Sequence, residues 1–174
     1  VRGGEPVAVA VHLPELGLTY GAVLGGGATL NGAPVTVSDP ALVAQPTMLA
    51  ARPALEPKHW NGEVPKIRRE YRPSLAYRLV QVATGKLDAV ASRRGSQDWD
   101  IAAATVILDE CGIDIADVCS GFPQFNKRDV RHGALAALGD MSLKPLLHAA
   151  LIEVYGCPAT ESPAAEHSTT DERI

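Results

Sequence analysis

The run SQDWDIAAATVILDECG, residues 96–112, joins an acidic, aromatic opening to an almost wholly apolar stretch. Ile101 to Leu108 has the length and alanine content of a buried helix, which Gly112 stops just past Cys111. At its mouth stand Asp98, Trp99 and Asp100. A carboxylate there can cap unpaired backbone N–H groups and complement the positive end of the helix dipole. The same arrangement can build a joint metal and anion site, with N–H groups facing phosphate while an Asp binds a hard cation. Trp99, between two acids and ahead of small residues, reads as part of a close-packed helix start held in a fixed place. A Trp-Asp pair also marks propeller repeats, but those need it every ~40–45 residues among strands. Here it occurs once, at the head of a helix.

Outward from this helix the pattern alternates strands and helices. Residues 7–13, 17–23, 28–30 and 34–37 are short and rich in Val, Leu and Thr, with Asn31-Gly32 between the last two. Asn-Gly between short apolar runs is a hairpin signal, because a type I′ turn needs positive φ at both central residues. The first forty residues therefore read as an antiparallel meander. Residues 40–46 form a connection, TMLAARP (47–53) a strand, LEPKHWNGEVP (55–65) a loop or single helical turn, and KIRREYR (66–72) another strand. Leu75, Leu79, Val82 and Ala83 recur at helical spacing and predict a helix over 74–84. KLDAVAS (86–92) follows as a strand with Leu87, Ala89 and Ala91 alternating. IDIADV (113–118) and ALAAL (134–138) are two more strands, and a last amphipathic helix runs from about Ser142 to Tyr155. The polar remainder, 156–174, lacks periodicity and reads as a disordered tail.

The 174 residues, 46% hydrophobic and 21% charged, suffice for one main domain. A net charge of −4 argues against a partner that is a nucleic-acid polymer, since phosphate contacts need clustered Lys and Arg. The basic cluster Lys66, Arg68, Arg69, Arg72 and Arg78 reads as a solvated strand and helix face in preference to an anion-binding patch. Cys111, Cys119 and Cys157 show no metal-ligand spacing, and their odd number points to free thiols in a reducing compartment. With no leader and no apolar run of ~18–20 residues, stable membrane insertion is not expected and the location expected is cytoplasmic. The chain opens on Val1, already running into a strand, as if begun inside a larger fold.

Other motifs carry less. LGGGATLNG (24–32) lacks the Gly-Lys-Ser/Thr ending of a phosphate loop and runs into a hairpin turn, so it reads as structural. Each of the five histidines stands alone in sequence, and His132 reads as structural. No G-x-S-x-G elbow supports a serine nucleophile.

Taken in order and spacing, YGAVLGGGATLNGAPVTVS, SLAYRLVQVATGKLDAVAS, QDWDIAAATVILDECG and FNKRDVRHGALAAL resemble the C-terminal half of the inositol monophosphatase family. Within the family, the sequence resembles the bacterial 3′(2′),5′-bisphosphate nucleotidase branch. The resemblance covers 1–155, and its most specific element is Trp99-Asp100 followed by alanines. It implies an α/β fold, half of a layered αβαβα arrangement with a mixed sheet and flanking helices. It also implies Mg²⁺-dependent hydrolysis of a small phosphorylated substrate, with Asp100 a metal ligand, Arg93, Arg94 and Asp98 in a loop beside the leaving group, and Ser74 near the substrate. A homodimer of the full-length parent goes with it.

Two departures matter. The Lys that follows Ser-Leu in many bisphosphate nucleotidases is Ala76 here, which weakens the nucleotide preference. The family's other metal ligands, an upstream Glu and a D-P-x-D-G-T segment, are not in the sequence. DIAD at 114–117 has the acids but not the following Gly-Thr, and reads as a strand. The expectation is thus the second half of a phosphatase acting on adenosine 3′,5′-bisphosphate. Its alternatives are an inositol-1-monophosphatase and a catalytically silent half or phosphate-binding module. No catalytic residue is assigned, and because one Asp cannot hold a Mg²⁺ cluster, the chain alone should not turn over.

Overall fold

Glycines and one asparagine with positive φ turn the first sheet. A computed structural model describes residues 2–3, 5–36, 45–50, 52–59, 66–139 and 141–157. Strands β1 (Ala8–Leu13), β2 (Leu18–Val23), β3 (Gly27–Leu30) and β4 (Ala33–Pro34) pair in sequence order, all antiparallel. The β3–β4 turn is Asn31-Gly32, with φ of 51° and 82°, the geometry the sequence required of it. The glycine-rich β2–β3 turn is structural, as read: the backbone N–H groups of Gly25 and Gly27 donate to the Glu110 carboxylate at 2.5 and 2.7 Å.

The second sheet contains β5 (Thr47–Ala50), β6 (Arg68–Arg69), β7 (Ala89–Ala91), β8 (Asp114–Asp117) and β9 (Leu135–Leu138), in the order β6-β5-β7-β9-β8. The first three strands are parallel, and β9 runs antiparallel to β7 and β8. Helices α1 (Leu75–Ala83) and α2 (Asp98–Glu110) lie between the two sheets. Helix α3 (Lys144–Tyr155) covers the far face of the second. Leu49, Val90, Ile115 and Ala137 point into the inner core, while their neighbours Met48, Ala89, Ala91 and Ala136 meet α3. KLDAVAS was expected to alternate, yet Ala89, Val90 and Ala91 are all buried, because a sheet with helices on both faces has no wet side. Ile101, Ile107 and Leu108 of α2 are fully buried, each stabilising the layer by about 1.5–3 kcal/mol.

The chain is therefore a β/α/β/α stack, the mixed-sheet α/β class expected. Each predicted element is present with ends shifted by a few residues. The strand expected over 47–53 is β5 at Thr47–Ala50, and a 3₁₀ turn at Arg52–Leu55 takes its end; LEPKHWNGEVP contributes a 3₁₀ turn at Pro57–His59, and its residues 60–65 lie outside the described residues. So do residues 37–44 of the first connection and 158–174 of the tail.

Candidate phosphate and metal site

The two acids of the α2 mouth do different work. Asp98 Oδ1 lies 2.8 Å from Nε2 of His132, whose side chain is fully buried, and Asp98 Oδ2 accepts the backbone N–H of Asn126 at 2.8 Å. The Asp98 N–H donates to the Val130 carbonyl at 3.1 Å, and Phe125 packs on the His132 ring. Asp98 thus latches the first turn of α2 to the 125–132 loop. Asp100 Oδ2 accepts the backbone N–H of Gln97 at 2.9 Å, a cap made with one oxygen. Trp99 corrects the sequence reading: its side chain is not packed into the helix start but 70% exposed. What holds that start in place is the half-buried Asp98 paired with the buried His132.

A cavity of about 380 Å³ opens at the C-terminal ends of the parallel strands β6, β5 and β7, beside the mouth of α2. Its lining includes Arg69, Arg78, Arg93 and Arg94 together with Glu70 and Asp100. Three of these arginines are braced by backbone carbonyls: Arg69 Nε by Ala50 at 3.3 Å, Arg78 Nε by Arg72 at 2.6 Å, and Arg94 Nη1 by Tyr155 at 3.2 Å. Glu70 is itself engaged by Arg72 at 2.7 Å, so it does little to neutralise them. A chain that is net negative therefore gathers positive charge in one concavity. The Ser96 hydroxyl, buried on this wall, has no hydrogen-bond partner among the described residues. A second cavity, of about 230 Å³ beside Thr105 and Phe125, offers Glu5 and Asp109 as its ionisable groups and suits no anion.

Of the residues singled out from the sequence, Arg93, Arg94 and Asp100 line this cavity together. Ser74 stands next to it as the N-cap of α1, its Oγ accepting from the Tyr77 N–H at 3.5 Å. Its φ of 54° with ψ of 123° is a conformation that costs any residue with a Cβ. Asp98 does not line the cavity, because both its oxygens are spent on the latch. Arg69 and Arg78, read as part of a solvated face with an anion-binding patch as the alternative, line the cavity wall, and Arg69 is exposed there. The signal lay in the spacing of Arg69 and Arg78 either side of a predicted strand end and helix start. Without the parallel pairing of β6 with β5 it had no direction.

Among the described residues, no three His, Cys, Asp or Glu side chains converge to hold a metal ion. Asp100 presents one oxygen beyond its cap, whereas Mg²⁺ demands near-octahedral oxygen coordination. The residues present fit as one contribution to such a site and do not complete it.

The thiol expectation is overturned for two cysteines. Cys119, in the turn after β8, and Cys157, just past α3, form a disulfide, leaving Cys111 as the free cysteine. Antiparallel return of the chain brings the ends of β8 and α3 together, which sequence spacing could not show. Gly156 and Cys157, assigned to the tail, are consequently tied to the body. Tyr155, whose carbonyl braces Arg94, is the residue before them, and burial raises its phenol pKa, partly offset by nearby Arg93.

The profile of the inositol monophosphatase family matches residues 1–154. No curated protein matches the sequence. Among solved structures, staphylococcal IMPase-II matches with 24% identity and a TM-score of 0.68, over 87% of this chain and 61% of its own. An IMPase from Thermotoga maritima matches with 24% identity and a TM-score of 0.67, over 88% of this chain and 59% of its own. Inositol monophosphatase from Anabaena (Nostoc) sp. PCC 7120 matches with 25% identity and a TM-score of 0.63, over 87% of this chain and 60% of its own. This chain thus spans about three fifths of the length of the structures it matches. Structures of SaIMPase-II with bound inositol monophosphate and with bound 2′AMP match it as well.

Proposed function

The chain belongs to the inositol monophosphatase family, and we propose that it forms the phosphate-orienting part of a Mg²⁺-dependent phosphate monoester hydrolase. The observation that carries this is the cavity that Arg93, Arg94 and Asp100 line together at the ends of parallel strands. The two guanidiniums neutralise and orient the oxygens of the scissile phosphate. Ser74 and the 93–97 loop position the rest of the substrate, while the Asp98 latch holds the helix that carries Asp100. Asp100 would lend one oxygen to Mg²⁺, whose chemistry when bound is to activate water and offset phosphoryl charge. Further oxygen ligands come from outside the described residues. The substrate proposed is the 3′-phosphate of adenosine 3′,5′-bisphosphate, released to leave AMP.

An inositol phosphate is the second reading, favoured by Ala76 in place of a Lys and by the inositol monophosphate bound to SaIMPase-II. Among the described residues no helix is long and apolar enough to cross a membrane. A cytoplasmic location is proposed from the substrate class alone, because the Cys119–Cys157 disulfide removes the support once drawn from free thiols.

The test is Mg²⁺-dependent phosphate release from adenosine 3′,5′-bisphosphate and from inositol 1-phosphate, by this chain and by one extended upstream. The extended chain should release phosphate, and Asp100→Asn should cut its rate by orders of magnitude. Robust turnover by the 174-residue chain would show that the ligand accounting is wrong.

A further inference from the structure

We infer that the end of α3, pinned by the Cys119–Cys157 disulfide, positions Arg94 at the cavity, so that anion affinity depends on whether that disulfide is closed. The inference takes Arg94 as a phosphate-binding group from the reading above and adds what holds it there. Arg94 lies in the connection between β7 and α2 and is itself exposed. A long side chain there samples many rotamers unless something restrains it. The restraint is the Tyr155 carbonyl, which accepts from Arg94 Nη1 at 3.2 Å. Tyr155 is the last residue of α3, and the last carbonyls of a helix have no partner within the helix. A guanidinium placed there also meets the negative end of the helix dipole. The bond spends Nη1 and leaves Nε and Nη2, which share one edge of the guanidinium, for two oxygens of a phosphate. Arg93 acts on the same residue, partly offsetting the rise that burial gives the Tyr155 phenol pKa.

Two residues beyond Tyr155, Cys157 is bonded to Cys119. The Cys119 end is a firm anchor. One oxygen of buried Asp117 accepts the N–H groups of Cys119 at 2.9 Å and Ser120 at 3.3 Å, and the other accepts that of Gly133 at 2.6 Å. The α3 end is held less firmly: the Tyr155 hydroxyl is buried without a hydrogen-bond partner among the described residues. That placement is unfavourable, and release of the last turn into water relieves it. Cys157 is exposed, which gives an attacking thiolate access to the bond. Attack by a dithiol on the Cys157 sulfur breaks the S–S bond and expels Cys119 as a thiolate; the second sulfur of the dithiol then displaces Cys157. Two electrons and two protons pass to the protein, whose sulfurs become two thiols, while the dithiol closes to its own disulfide. With the bond open the last turn of α3 frays, the Tyr155 carbonyl leaves Arg94, and the guanidinium is no longer held ready for phosphate.

The test is equilibrium dialysis of adenosine 3′,5′-bisphosphate against the 174-residue chain without Mg²⁺: oxidised, reduced with dithiothreitol, and as the Cys119→Ser, Cys157→Ser double variant. Circular dichroism sets a temperature at which each form is folded. Opening the disulfide should weaken binding by about 5- to 20-fold, and the double variant should show that loss with or without dithiothreitol. Arg94→Gln should weaken the oxidised form at least as much and then respond no further to reduction. That lack of additivity separates positioning from general loosening, which would lower affinity in Arg94→Gln as well. Should the open forms fail to fold, Tyr155→Gly carries the test: it keeps the disulfide, loosens the last turn, and should weaken binding in the parent chain but not in Arg94→Gln. Equal affinity in the oxidised and reduced forms, binding by neither, or a redox response that persists in Arg94→Gln would overturn the inference. A redox response lost in Arg94→Gln, in an extended chain that releases no phosphate, would support the positioning and defeat the phosphatase reading. Phosphate release by the extended chain with a KM indifferent to dithiothreitol would do the reverse.

Discussion

Asp98→Ala and Asp100→Ala, two residues apart on one helix turn, should have opposite signatures. Asp98 has a side chain 16% exposed and serves two close partners, His132 Nε2 and the Asn126 N–H, both at 2.8 Å. A hydrogen bond to a charged group is worth about 1.5–3 kcal/mol, and truncation also strands the buried His132 nitrogen, so the loss should be about 3–4 kcal/mol. For a chain of this length that is roughly 6–16 °C in Tm. Asp100, exposed and capping with one oxygen, should cost only about 1 kcal/mol when truncated. Its loss should instead abolish Mg²⁺-dependent phosphate release in the extended chain. Thermal and urea unfolding of both variants, with a double-mutant cycle of Asp98→Ala and His132→Ala, measure this directly. The cycle should return a coupling of about 1–3 kcal/mol. A cost below about 1 kcal/mol for Asp98→Ala, or additive losses in the cycle, would refute the latch.

Three further outcomes follow from the same structure. Reducing the Cys119–Cys157 disulfide, which closes a loop of 38 residues, should destabilise the chain by roughly 4 kcal/mol in denaturant titrations with and without reductant. Ser74→Gly should raise stability by about 1 kcal/mol, since relief of a positive-φ conformation outweighs the few tenths lost from the cap, while substrate affinity falls. Burial, assisted by Lys144 and opposed by Asp114, holds the His148 pKa below its ordinary value of about 6.5. The unfolded chain then binds more protons just below pH 6.5, so His148 contributes stability at higher pH that is lost as pH falls through that window. His148→Gln should flatten the pH dependence of the unfolding midpoint there.

Legibility followed the range of the interactions. The α2 helix, the Asn31-Gly32 hairpin and the strand at Asp114–Asp117 could be read because periodicity and turn chemistry act over a few residues. Asp100, singled out through a short motif, Trp99-Asp100 and alanines, lines the cavity. Trp99 itself was misread, since a sequence does not say which way the N-terminal turn of a helix faces. The roles of the two acids were hidden for a related reason: a carboxylate's partner depends on what folds against it, and His132 is 34 residues from Asp98.

By itself the sequence determined the order and type of the elements and the family, because these rest on local patterning. Only the tertiary structure decided that Arg69 and Arg78 join Arg93 and Arg94 in one cavity, that Asp98 latches rather than lines it, and that Cys119 meets Cys157. Each of these comes from strand pairing and helix packing between distant segments. Spacing along the chain does not encode them, because nothing short of the assembled sheet brings the ends of β6, β5 and β7 to one edge.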